Sequence, residues 1–229
     1  MRDRYARQTG LSGFGEKSVE VLKNTKMVVV GAGGVGSALL PILAGAGVGK
    51  ILIADGDRVS ISNLHRQTLY TEKQVGQSKA RLAAERLSSI NSEVEISVLE
   101  KFLNSREDVL EILKGADMCI DASDNFKTRI LVSEVCAEAN VREILSSAGG
   151  YLSQLFMLGG KATFASFVGD ESAKSEGSMG LPIFPAAAHL SGVMGAGAAL
   201  RVTLGAQKFE EGFFQCYDFE SGRLFSCRL

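Results

Sequence analysis

Met27-Val28-Val29-Val30-Gly31-Ala32-Gly33-Gly34-Val35-Gly36 is a β-branched run that stops abruptly at glycine. Four consecutive apolar residues, bounded by Lys26 and Gly31, read as a strand buried on both faces. Gly31, Gly33 and Gly36 fit G-x-G-x-x-G, between that strand and a small-residue helix over Ser37 to Ala46. Without side chains there, phosphate can approach backbone N–H groups at the positive end of the helix. Lys50-Ile51-Leu52-Ile53-Ala54-Asp55 is a second strand of the same kind. Its Asp55 lies 19 residues beyond Gly36, where an acid accepts ribose hydroxyls.

The alternation continues outward. Val75 to Ile90 repeats apolar residues at helical spacing (Leu82, Ala83, Leu87, Ile90), and Val94 to Leu99 alternates as a strand. Asp108 to Lys114 reads as helix, Met118 to Asp121 as strand and Asn125 to Ala139 as helix. This order predicts an α/β fold: a Rossmann-like, doubly wound, mainly parallel sheet with helices on both faces. After about Ala148 the pattern changes. Phe156 to Leu158 and Ala162 to Val168 read as meandering strands, Pro185 begins a buried helix, and Phe213 to Phe219 with Arg223 to Leu229 form a hairpin. A C-terminal antiparallel extension is therefore expected. The polar, glycine-rich stretch Gly169 to Gly180 is the candidate for a flap over the substrate's approach route.

Composition narrows the class. With 25 basic against 26 acidic residues, the chain lacks the excess charge of a general nucleic-acid binder. Its 45% hydrophobic content and mean hydropathy of +0.12 suit a folded domain rather than a disordered chain. The stretch Pro185 to Gln207 is broken by His189, Arg201 and glycines, so no membrane role is expected, and the charged start suits a cytoplasmic protein. Cys119, Cys136, Cys216 and Cys227 form no C-x-x-C pair, so neither a disulfide scaffold nor a structural zinc site is expected. Cys216 and Cys227, placed evenly about Ser221-Gly222, are expected across the hairpin from one another.

The fingerprint leaves the nucleotide open, since NAD and FAD fit it as well as ATP. The next stretch argues against hydride transfer. Asp55-Gly56-Asp57-Arg58-Val59 runs into Ser62-Asn63-Leu64-His65-Arg66-Gln67 and then Gly76-Gln77-Ser78-Lys79. That much positive charge beside a ribose pocket suits a triphosphate whose pyrophosphate must be neutralised as it leaves. Arg66 offers a planar fork of donors and Lys79 a compact ammonium. Asp121-Ala122-Ser123-Asp124-Asn125 ends a later strand, where a carboxylate suits Mg²⁺. Each residue also has a plain structural reading: Arg66 and Lys79 as solvated surface charges, Asp57 and Asp124 as caps.

These segments resemble the E1-like ThiF/MoeB family of sulfur-carrier adenylyltransferases. Arg4-Tyr5-Ala6-Arg7-Gln8 and the five motifs above stand in family order over the first 125 residues or so. The resemblance implies one adenylation domain over residues 1–229. Its parts are a helical arm (1–24), a nucleotide-binding core (25–148) and a carboxylate- or carrier-binding extension (149–229). It implies ATP-dependent adenylation of a carboxylate, normally the C-terminal Gly-Gly of a ubiquitin-like sulfur carrier in thiamine, molybdopterin or related sulfur transfer. A small-molecule or tRNA-linked carboxylate is the alternative. By the same resemblance Gly34 and Asp55 hold ribose and phosphate with Asp57 close by, Asn63, Arg66 and Lys79 contact the triphosphate, and Asp124 binds Mg²⁺. Arg7 matches an arginine that reaches the neighbouring subunit's site, which implies a homodimer. Relatives often carry two C-x-x-C pairs for zinc, and some a loop cysteine for covalent chemistry; here residues 140–214 contain no Cys.

Overall fold

The computed structural model describes residues 4–12, 14–169 and 182–228. The short helix α1 (Ala6–Thr9) and the helix α2 (Glu16–Lys23) lead into β1 (Lys26–Val30), α3 (Gly34–Ala46), β2 (Lys50–Ala54) and α4 (Lys79–Ile90). Then come β3 (Glu95–Leu99), α5 (Arg106–Leu113), β4 (Met118–Asp121), α6 (Phe126–Glu138), β5 (Arg142–Gly149) and β6 (Leu152–Leu158). The helices α7 (Phe164–Val168) and α8 (Pro185–Thr203) precede the hairpin β7 (Phe213–Asp218) and β8 (Arg223–Arg228). All eight strands form one sheet in the order β3-β2-β1-β4-β5-β6-β7-β8. Strands β1 to β5 run parallel; β6, β7 and β8 are antiparallel. The α/β class and the antiparallel extension are as the sequence predicted.

One face packs Leu39, Leu40 and Leu43 of α3 and Ala196 and Ala199 of α8 against Met27, Val29, Ile51 and Ile53. The opposite face packs α5 and α6, through Val109, Ile112, Val132 and Val135, against Val28, Val30 and Cys119. Alternate strand residues therefore serve different layers, which is why these strands are apolar throughout. The helix α8 lies unusually close to its neighbours. A Cβ on Gly192 would stand 2.4 Å from Val35 O, and one on Gly195 would stand 2.0 Å from Ser146 Oγ. Among the described residues no helix is long and apolar enough to cross a membrane.

Four local expectations change. The helix α3 begins at Gly34 rather than Ser37, so the fingerprint's last glycines form its first turn. The helix α4 begins at Lys79, not Val75: Ser78 Oγ accepts from Arg81 N as its cap, and Glu72–Gln74 is a separate 3₁₀ turn. Phe164 to Val168 is helical, not a strand. Phe164, Phe167 and Val168 fall on one side and pack with Phe156 and Phe214, a spacing that strand alternation cannot satisfy. The hairpin has a four-residue loop, closed by Gly222 N donating to Asp218 O at 2.8 Å, with Gly222 at φ +68°. That register sets Cys216 opposite Phe225 and Cys227 opposite Phe214, so the two thiols are diagonal rather than facing. The flap expected over Gly169 to Gly180 falls, beyond Gly169, outside the described residues.

Candidate active site

The strand order reverses between β1 and β4, and a cavity of about 760 Å³ opens at their carboxyl ends. Gly31, Gly33, Gly34, Asp55, Asp57, Asn63, Arg66, Lys79 and Asp124 all line it. Arg7 and Gly36 do not.

The glycines of the fingerprint have separate tasks. Gly31 adopts φ +93°, and a Cβ there would lie 2.7 Å from Ala122 O, so glycine lets β1 and β4 end side by side. A Cβ on Gly36 would meet Gly31 O at 2.5 Å, which makes Gly36 a packing residue inside the first turn of α3. A Cβ on Gly34 would stand 3.1 Å from Arg66 Cγ and 3.2 Å from Ala188 Cβ. The first amides of α3 lack intrahelical acceptors and carry the positive end of the helix dipole. This is a cradle that side chains would fill and that a phosphate fits.

Asp55 fixes the loop. Its Oδ2 accepts from Ala32 N and its Oδ1 from Asp57 N, both at 2.7 Å. Burial raises its pKa, and these two amides with the Lys79 ammonium pull it back down. Each oxygen keeps a further lone pair for a ribose hydroxyl.

The two cations are held differently. Lys79, at the start of α4, is buried; its Nζ donates to Asp57 Oδ2 at 2.6 Å and its backbone N to Asp57 O at 3.0 Å. It is not the solvated charge that its composition alone suggests. Arg66 is half-buried, with Nη1 at 3.3 Å from His65 Nε2. Because arginine only donates, His65 Nε2 accepts, and its Nδ1–H donates to Ser62 O at 3.0 Å. His189 Nε2 donates to Arg66 O at 3.0 Å, so both histidines hold Arg66 in place.

The carboxylate loop after β4 completes the ring. Asn125, not Asp124, caps α6, accepting from Thr128 N at 2.8 Å. Asp124 faces the cavity instead. Among the described residues no group of three His, Cys, Asp or Glu could cage a metal. One carboxylate beside a phosphate cradle does fit Mg²⁺, which keeps waters and takes substrate phosphates. Several lining residues escaped the sequence reading, Arg129, Phe102 and Leu103 among them. Arg129 sits four residues after the cap, and its Nε and Nη2 donate to Ser123 O at 3.1 and 2.7 Å. Its guanidinium lies 5.8 Å from the Phe126 ring centroid, and burial lowers its pKa against the pull of Asp121 and Asp124. Phe102 and Leu103 close the wall beside Gly56, where a Cβ would stand 2.6 Å from Phe102 N.

The ThiF family model matches residues 5–229. The chain belongs to the ThiF family. Among curated ThiF-like relatives, the sulfur carrier protein adenylyltransferase of Thermus thermophilus is 48% identical over 132 residues, covering 58% of this chain and 48% of that protein. Adenylyltransferase and sulfurtransferase MOCS3 of Caenorhabditis briggsae is 41% identical over 152 residues, 66% of this chain and 38% of that protein. The matched part thus spans less than half the length of either relative. In structure the chain resembles E. coli MccB solved with ATP: TM-score 0.86, 23% identity, covering 100% of this chain and 72% of that one. At that identity the likeness establishes the shared fold.

Proposed function

We propose that this chain is an adenylyltransferase that activates a carboxylate with ATP and releases pyrophosphate. Its substrate in this reading is the C-terminal glycine of a ubiquitin-like sulfur carrier protein. One observation carries the reading: the glycine cradle at the start of α3, the Arg66 and Lys79 cations and the Asp124 carboxylate share a single cavity. The name of the Thermus relative and the ATP in the MccB structure support the choice of reaction and nucleotide.

The chemistry asks little covalent work of the protein. A carboxylate oxygen forms a bond to the α-phosphorus, the bond to the bridging oxygen breaks, and pyrophosphate carries away the charge; no side chain must take a proton. The cradle and the first amides of α3 hold phosphate oxygens, and Asp55 accepts from the ribose. Arg66 and Lys79 stabilise the charge that builds on the leaving group. Asp124 would hold Mg²⁺, which supplies further neutralisation there. The Lys79 ammonium pairs with half-exposed Asp57, which holds it at the cavity wall for a phosphate oxygen.

In this reading residues 1–24 are an arm, 25–148 the nucleotide core and 149–229 the surface for the carboxylate donor. The arm is held far from its own cavity. Gln8 Nε2 donates to Ala46 O at 3.0 Å, and Asn91 Nδ2 donates to Tyr5 OH at 2.9 Å. Both contacts lie at the end of α3 away from Gly34, about 18 Å along the helix. Arg7 between them would serve a second copy in a homodimer. An Arg7→Ala chain mixed with an Asp124→Ala chain should regain partial activity, since each mixed dimer keeps one site with both groups. No recovery despite proven subunit exchange would place Arg7 outside the reaction. For the function itself the test is ATP–pyrophosphate exchange. Exchange that requires a sulfur carrier with a Gly-Gly end supports the proposal; exchange driven by a small acid would redirect it to a small carboxylate; NADH binding without exchange would overturn it.

A further inference from the structure

The phenol of Tyr70 lies buried where the glycine loop meets the start of α4, and no part of the proposed reaction uses it. Its OH stands 2.7 Å from Ala32 O and 3.2 Å from Lys79 O. One carbonyl belongs to the phosphate cradle and the other to the residue that carries the buried ammonium. The ring packs with Val59 and Leu82, so it is fixed from behind while its single proton serves two acceptors in front.

Bonds on both sides of Ala32 give this contact its leverage. Its N–H donates to Asp55 Oδ2 and its C=O accepts from Tyr70, so the two peptide planes meeting at Ala32 are held from opposite ends. A trans peptide is planar, and its N–H points opposite to its C=O. Holding Ala32 O on Tyr70 therefore turns the Gly33 N–H away from the phenol, and Gly33 lines the cavity. The route to Lys79 is equally short. Lys79 N donates to Asp57 O, Asp57 N donates to Asp55 Oδ1, and Tyr70 closes the ring from Lys79 O back to Ala32 O.

We propose that Tyr70 is a positioning residue for the phosphate site: its hydroxyl sets both the orientation of the Ala32–Gly33 peptide and the spacing between the glycine loop and Lys79. This rests on the adenylation reading for its kinetic consequence but not for its geometry. The phenol does not line the cavity; it acts through two backbone carbonyls. Electrostatic stabilisation depends on donors already standing where charge will develop, so a small loosening of the loop lowers the rate without emptying the site.

Tyr70→Phe isolates the hydroxyl because the ring still fills the space beside Val59 and Leu82. Two measurements decide the matter. Hydrogen exchange on the ligand-free protein should show faster amide exchange in residues 31–36 and 79–82 of the variant, with α6 unchanged; equal protection in both proteins overturns the proposal whatever the enzyme's reaction. In ATP–pyrophosphate exchange, kcat should fall roughly tenfold or more with KM for the carboxylate donor little changed. Lys79→Met and the double variant complete a cycle, and Tyr70→Phe should cost much less in the Lys79→Met background. A full, independent loss there, or a wild-type kcat in the single variant, would sink the link to Lys79. Absence of exchange in the wild-type protein would count against adenylation instead, and hydrogen exchange would still judge Tyr70.

Discussion

The two halves of the sheet are defined in different ways. In the parallel half β1 and β4 are buried along almost their whole length, with helices on both faces, and their first charge after Lys26 is Asp121 at the cavity's edge. At the other end β8 exposes all six residues, including Leu224 and Phe225, and is held by one neighbour. A strand packed on both sides has its position fixed by side-chain volume, whereas an edge strand takes its register from its turn. The chemistry gathers where packing is tightest, and the least constrained strand lies farthest along the sheet.

The largest effect that could break this comparison is at the cavity. Asp124→Ala and Lys79→Met should each lower ATP–pyrophosphate exchange by about a hundredfold or more, with thermal unfolding within a few degrees of wild type. A variant that exchanges at the wild-type rate at ordinary Mg²⁺ would remove that residue from the site.

Next comes the backbone of the parallel half. Gly36→Ala drives a methyl to 2.5 Å from Gly31 O, and should cost about 3 kcal/mol or more. Gly45, in the same helix, has open space around it, so Gly45→Ala should stabilise by about 0.5–1 kcal/mol. Equal effects in chemical denaturation would mean that α3 is not held by close backbone contact.

A buried acid sharpens the contrast further. Glu143 of β5 is fully buried among Cys119, Cys136, Asp121 and Ser133. The Ser133 hydroxyl accepts from Phe164 N at 2.7 Å and still has its own proton, which pulls the Glu143 pKa back down. Burial outweighs that pull and pushes the Glu143 pKa well above its ordinary value of 4.5. The folded state therefore keeps a proton that the unfolded chain releases. The stability this group allows is complete below that ordinary value and is lost as pH rises toward the folded one. Glu143→Gln should match wild type near pH 4 and exceed it by about 1–3 kcal/mol at pH 8. A constant difference across that range would show that Glu143 does not titrate on unfolding. The smallest effect belongs to the edge: Leu224→Ser should change stability by less than about 0.5 kcal/mol, and a larger loss would show that β8 is packed against something in solution.

The parallel half was legible because each of its signals is local. A β-branched run ends in glycine, and the next such run ends in an acid, so strand and site residue are read together; the helix caps, Ser78 and Asn125, were not. The antiparallel half was less so. Helix α7 read as a strand because its aromatic residues are placed for Phe156 and Phe214, which are distant in sequence. The hairpin register turned on whether its loop held two residues or four. Within the site, the glycine loop, Asp55, Arg66, Lys79 and Asp124 were visible as motifs. Tyr70 and Arg129 were not, because a buried tyrosine and a helical arginine look ordinary until their acceptors, Ala32 O and Ser123 O, are brought to them by the fold.

The pinned arm has a consequence for how the protein behaves at different concentrations. Tyr5 and Gln8 are fastened at the foot of α3, and Arg7 between them does not line its own cavity. In the homodimer proposed above, any service it gives is given in company. Specific activity would then be a function of amount: steady in concentrated solution, and falling on dilution as copies part, even though every single chain remains folded.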